Sequence, residues 1–143
     1  MELKLAEPGD LATVSQLEKT FVFPLSEEEL HKLMDNDLFR IAVWRDGEVI
    51  AGHCVLYRVC DEAEITSFAI REDLRGTGMG TEFLTQLLKY IREDGGKIAY
   101  LEVRESNVAA QRLYKKCGFT EIGRRKRFYQ KPVEDAIAMG IEL

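Results

Sequence analysis

A chain of 143 residues has the length of one domain, spanning 1–143, and 45% hydrophobic with 31% charged residues is too apolar a mixture for a disordered protein. A net charge of −5 excludes a broad phosphate-backbone binder, which needs an excess of Lys and Arg, so no nucleic-acid partner is expected. No basic and apolar leader opens the sequence and no apolar run approaches the ~18–20 residues that cross a bilayer, so the expectation is a cytoplasmic protein without a membrane partner.

Leu3 and Leu5 alternate with polar neighbours, which predicts a strand that Pro8-Gly9-Asp10 interrupts. Asp10 is placed to cap a helix carrying Leu11, Val14 and Leu17 at helical spacing. Ser26-x-x-Glu29 has the form of a capping box, in which each side chain satisfies an orphan backbone N–H, ahead of a second helix with Leu30, Leu33 and Met34. Phe39 to Trp44 and Val49 to Tyr57 are rich in strand formers and are separated by the hairpin signal Asp46-Gly47. Ile65 to Ile70 reads as a further strand after the acidic stretch 61–64.

Beyond the glycine loop at 76–80, Phe83, Leu84, Leu87, Leu88 and Ile91 make one apolar helix face that ends at Gly95-Gly96. Ile98 to Val103 is a short strand, Ser106-Asn107 offers caps for a helix from Ala109 to Lys116, and Gly118 suits the position after its end. Phe119 to Ile122 and Ala136 to Ile141 close the sequence as strands. The expected order is β-α-α-β-β-β-α-β-α-β-β, an α/β fold with a mixed sheet of about seven strands and about four helices.

Cys54, Cys60 and Cys117 are odd in number, form no C-x-x-C pair and have neither His31 nor His53 at ligand spacing. No metal site or disulfide framework is expected, and each cysteine reads as a small buried hydrophobe.

Arg75-Gly76-Thr77-Gly78-Met79-Gly80-Thr81 lies between a strand and a helix, an arrangement whose backbone N–H groups and helix dipole favour an anion. A phosphate loop of the Walker type requires Gly-Lys-Ser/Thr where this chain has Gly80-Thr81-Glu82. The dinucleotide fingerprint G-x-G-x-x-G fails in both registers, at Thr81 and at Phe83. The spacing Arg75-x-x-Gly78-x-Gly80 resembles the Q/R-x-x-G-x-G/A pyrophosphate loop of the GNAT acetyltransferases, with a plain glycine-rich turn as the alternative on this loop alone.

A second segment makes the resemblance specific. Leu101-Glu102-Val103-Arg104-Glu105-Ser106-Asn107-Val108-Ala109-Ala110, followed by Leu113-Tyr114 and Gly118-Phe119, is similar to the RimI-type ribosomal-protein alanine N-acetyltransferases of that family. Phe23-Pro24-x-Ser26 resembles their substrate-side loop, and Glu134-Asp135-Ala136 with Met139 their closing strand. Leu25 stands where Trp is frequent, and Arg124 to Phe128 is more basic than the pattern, which leaves the acceptor open.

The resemblance implies a GNAT fold, acetyl-CoA as co-substrate and a protein N-terminus as acceptor, with a small-subunit ribosomal protein suggested. It also implies site residues. Glu102 would act as base through a water, and Tyr114 would supply a proton to the departing thiolate. The backbone of Phe68, Ala69 and Ile70 would splay from the neighbouring strand and bind the pantetheine arm. The loop Arg75, Gly76, Thr77, Gly78, Met79, Gly80 and Thr81 would hold the pyrophosphate through its N–H groups, and Asn107 the cofactor arm. The bland readings are a solvated strand residue for Glu102, a core aromatic for Tyr114 and a solvated strand edge for Arg124 to Arg127, with contact to acidic residues of a protein substrate as a second possibility for that run.

Three other functions fit parts of the pattern. A small-molecule amine such as a polyamine, amino acid or aminoglycoside would use the same loop. A CoA-sensing module would keep the cofactor site without catalysis, against which Glu102 and Tyr114 both speak. An unrelated α/β domain would bind no CoA.

Overall fold

The computed structural model describes residues 1–143. In chain order its elements are β1 (Glu2–Leu5), α1 (Leu11–Glu18), α2 (Glu27–Met34), β2 (Phe39–Asp46), β3 (Val49–Val59), β4 (Glu62–Ile70), α3 (Met79–Glu93), β5 (Ile98–Arg104), α4 (Val108–Lys116), β6 (Thr120–Tyr129) and β7 (Glu134–Glu142). This is the order expected from the sequence. The strands form one seven-stranded sheet in the order β1-β2-β3-β4-β5-β7-β6, in which β4 and β5 run parallel and the other neighbours antiparallel.

Alternation along the strands divides the core between two faces, because successive side chains point to opposite sides of a sheet. Ala42 and Trp44 of β2 join Cys54 and Leu56 of β3 in a cluster with Phe83, Leu84, Leu87 and Ile91 of α3 and Tyr114 of α4. Ile41 and Val43, one step out of phase, join Val55 in a smaller cluster with Leu11 and Val14 of α1 and Leu30 of α2. The capping box at α2 forms as expected: Ser26 Oγ accepts from the Glu29 N–H at 3.1 Å, and Glu29 Oε1 accepts from the Ser26 N–H at 3.3 Å.

Four expectations change. Asp10 does not cap α1 with its side chain; it closes a short turn at Pro8–Asp10, accepting from the Glu7 N–H at 2.8 Å and pairing with Arg45 at 3.0 Å. Strand β4 begins at Glu62, inside the acidic stretch, because Glu62 to Glu64 continue the ladder opposite Val59 to Tyr57. Strand β6 runs to Tyr129, well past Ile122, and all but its last residue are exposed, so it carries no apolar alternation to read. Cys60 is exposed in the turn between β3 and β4, whereas Cys54 is buried and Cys117 half-buried.

Candidate active site

The parallel pairing of β4 with β5 stops early. It joins Glu62–Ile65 to Ile98–Leu101 and goes no further, although both strands continue. A local cause lies on β4: Val55 faces Ser67 and Leu56 faces Ile65, so Thr66 is an extra residue, a bulge of the kind that bends a strand away from its neighbour. The Thr66 hydroxyl fastens the bulge by donating to the Val55 carbonyl at 3.1 Å. Past it, Phe68, Ala69 and Ile70 keep their partners on β3, and Glu102, Val103 and Arg104 keep theirs on β7. The sheet is therefore open between the two strands, with the expected pantetheine-binding backbone along one side and Glu102 on the other.

At the end of β4 the chain passes through a turn at Glu72–Leu74 into the glycine loop. Gly76 and Gly78 have φ of +77° and +83°, backbone that glycine adopts without strain. The N–H groups from Gly76 to Thr81 donate to no other atom of the chain, and the last of them form the N-terminus of α3. They are a row of free donors at the positive end of a helix. The Arg75 side chain turns back to donate to the Ile70 carbonyl at 3.1 Å, and the Thr77 hydroxyl donates to the Leu74 carbonyl at 2.7 Å. Gly80 sits against Leu113, where an added Cβ would come within 3.3 Å, so α3 and α4 approach closely beside the loop.

Tyr114 projects from α4 into the core, 8% exposed, with its ring edge-on to Phe68 at 6.3 Å and tilted on Phe119 at 5.9 Å. Burial pushes its phenol above the ordinary tyrosine range, and the Cys54 and Tyr129 groups nearby push the same way. The phenol is held in its protonated form. Phe68 also stacks on Phe83 at 4.9 Å, so its ring belongs to the core while its backbone borders the opening.

Glu102 is 20% exposed at its side chain, and its two oxygens differ. Oε1 lies 3.2 Å from Arg125 on β6; Oε2 is buried and without a hydrogen-bond partner. Asn107 caps α4 through Oδ1, which accepts from the Ala110 N–H at 3.1 Å, leaving its amide N–H groups free to donate. The basic run lies on the exposed edge strand β6, where Arg124 is tied to Glu105 at 2.9 Å and Glu121 at 3.0 Å.

Two features escape the sequence reading. Tyr129, half-buried, has its phenol pushed up by burial and by the Glu102 charge, and it in turn acts on Tyr114, so it stands near both expected catalytic residues. Its ring is covered by the Arg104 guanidinium at 4.2 Å. The only signal for it is an aromatic pair closing a basic run. The second is a buried pair, Glu18 with His53, in which Glu18 also accepts from the Leu25 N–H at 3.1 Å and so ties the loop after α1 to β3.

The acetyltransferase (GNAT) family model matches residues 10–119. The chain is 33% identical over 137 residues to a Bacillus subtilis protein, 94% of this chain and 90% of that one, whose provisional name is [ribosomal protein bS18]-alanine N-acetyltransferase. It is 30% identical over 144 residues to the [ribosomal protein bS18]-alanine N-acetyltransferase of Salmonella typhimurium, covering 99% of this chain and 97% of that one. The crystal structure of the Escherichia coli ribosomal-protein-S18-alanine N-acetyltransferase superimposes with a TM-score of 0.87 at 28% identity, over 99% of this chain and 92% of that one. The chain belongs to the GNAT family and is an acetyltransferase.

Proposed function

We propose that the protein transfers the acetyl group of acetyl-CoA to the α-amine at the N-terminus of a protein, with a ribosomal protein such as bS18 as the acceptor. The observation that carries the cofactor half is the row of free N–H donors from Gly76 to Thr81 beside the opening between β4 and β5. The acceptor half is supported by the names of relatives that align over nearly the whole chain.

The pyrophosphate takes the glycine-loop donors at the start of α3. The pantetheine arm lies along Phe68, Ala69 and Ile70 as an added strand would, and one backbone N–H there polarises the thioester carbonyl. Asn107 donates to the arm with the amide hydrogens its cap leaves free.

The chemistry then needs a neutral amine. An α-amine of pKa ~7.7–8.0 is roughly a tenth neutral at pH 7, whereas a lysine of pKa ~10.4 is below about a thousandth neutral. A weak base suffices for the first, and Glu102 takes that proton on Oε2, directly or through a water. The nitrogen lone pair attacks the carbonyl carbon and the π electrons move to oxygen; they return as the C–S bond breaks with its electrons on sulfur, and the surplus proton on nitrogen passes to solvent, leaving the amide and the thiolate. Tyr114 donates its O–H to that sulfur. Because burial raises the phenol above a thiol of ordinary pKa about 8.5, the donation stabilises the thiolate as a hydrogen bond without full loss of the Tyr114 proton.

The test is the position of the acetyl group. A peptide with a free N-terminal Ala and one internal Lys is incubated with acetyl-CoA and the product sequenced by tandem mass spectrometry. Acetyl on the α-nitrogen is expected; acetyl on the lysine side chain would contradict the reading.

A further inference from the structure

Arg125 makes a contact that this chemistry leaves unexplained. It lies on β6, beyond β7 from β5, yet its Nη2 reaches Glu102 Oε1 at 3.2 Å. The ladders show how. Glu102 faces Ala138, which faces Gly123, while Arg125 faces Ala136. Residues two apart on a strand share a face, so Ala136 and Ala138 put only small side chains of β7 between Arg125 and Glu102. The far end is steadied by Phe128, whose ring centroid is 5.4 Å from the guanidinium carbon. Its neighbour Arg124 is engaged elsewhere, with Glu105 and Glu121.

The consequence falls on Glu102. The ion pair at Oε1 favours the orientation of the carboxylate in which Oε2 lies in a buried place where no protein donor meets it. A buried acceptor left unpaired costs free energy, and a place where a group of the reaction supplies the donor accounts for it.

We infer that Arg125 is a positioning residue: it grips one oxygen of Glu102 so that the other is presented to the acceptor amine or its bridging water. This rests on Glu102 acting as the base. Arg125 is 62% exposed, and exposed ion pairs add little to stability, so its loss should alter turnover and leave the melting temperature in place.

The experiment compares kcat for wild type, Arg125→Ala, Arg125→Lys, Glu102→Gln and the double variant Arg125→Ala with Glu102→Gln. The acceptor is whichever amine the wild type turns over fastest, so that failure of the N-terminal reading leaves the test intact. A misplaced base should cost about tenfold in kcat in Arg125→Ala, with KM for acetyl-CoA unchanged, and Arg125→Lys should recover part of it. In the Glu102→Gln background the same change should cost nothing, since the two residues act as one unit. A wild-type rate in Arg125→Ala, or an equal loss in both backgrounds, overturns the inference alone. A wild-type rate in Glu102→Gln instead overturns the base assignment beneath it.

Discussion

Tyr114 has a ring packed in the core and a hydroxyl to which the proposed mechanism gives the proton donor's role, and the two can be separated by one atom. Tyr114→Phe keeps the contacts with Phe68 and Phe119 and removes only the donor. Turnover should fall roughly 10²-fold with acetyl-CoA affinity little changed. The pH profile checks the cause. A phenol pushed above its ordinary value stays protonated up to at least about pH 10, so the wild-type rate should climb as the acceptor α-amine loses its proton near ~8 and then stay level. A wild-type fall between about pH 8 and 10 that vanishes in Tyr114→Phe would contradict the raised phenol. Glu102 and Tyr114 were proposed from the second motif of the sequence; the structure puts Glu102 beside the opening and Tyr114 in the core against Phe68, whose backbone borders it. Arg125 and Tyr129 were not legible, because β7 inserts between β5 and β6 and nothing in the order of residues says that an arginine on β6 will cross it.

Among the elements, the glycines separate backbone freedom from close packing. At Gly78 an added Cβ would meet nothing within 4 Å, but φ is +83°, so Gly78→Ala carries a conformational cost of roughly 1–2 kcal/mol at the turn proposed to hold the pyrophosphate. At Gly52 the added Cβ would lie 2.5 Å from the Ala69 carbonyl oxygen, and β3 and β4 would have to shift. Calorimetry and thermal melting should therefore divide them: Gly78→Ala weakens acetyl-CoA binding with a small fall in melting temperature, and Gly52→Ala gives the larger fall. The reverse ranking in melting temperature would contradict this account. Helices α2, α3 and α4 were readable from their caps and apolar faces, and β2 and β3 from their hairpin. The bulge at Thr66 was not, since an extra residue in a strand leaves no compositional trace, and the full length of β6 was hidden because an exposed edge strand has no core-facing side.

For the whole molecule, the proposed function rests on the opening between β4 and β5. The backbone of Phe68 to Ile70 lies on one side of it and Glu102 on the other, and the buried Glu18 and His53 tie the loop after α1 to β3. The order of elements could be read from hydrophobic periodicity and turn chemistry, and family membership rules out an unrelated α/β domain. The identity of the acceptor was less legible, because acceptor choice, read as lying in the 20–35 and 124–135 segments, turns on how side chains are placed and not on residue types alone. The most direct measurement of the central claim is thiol release from acetyl-CoA with three acceptors side by side: a short peptide beginning Ala-Arg-Tyr with a free terminus, the same peptide with a blocked terminus and an added lysine, and spermidine. Release with the free-terminus peptide alone is the expected result, and release with spermidine but not with that peptide would contradict it.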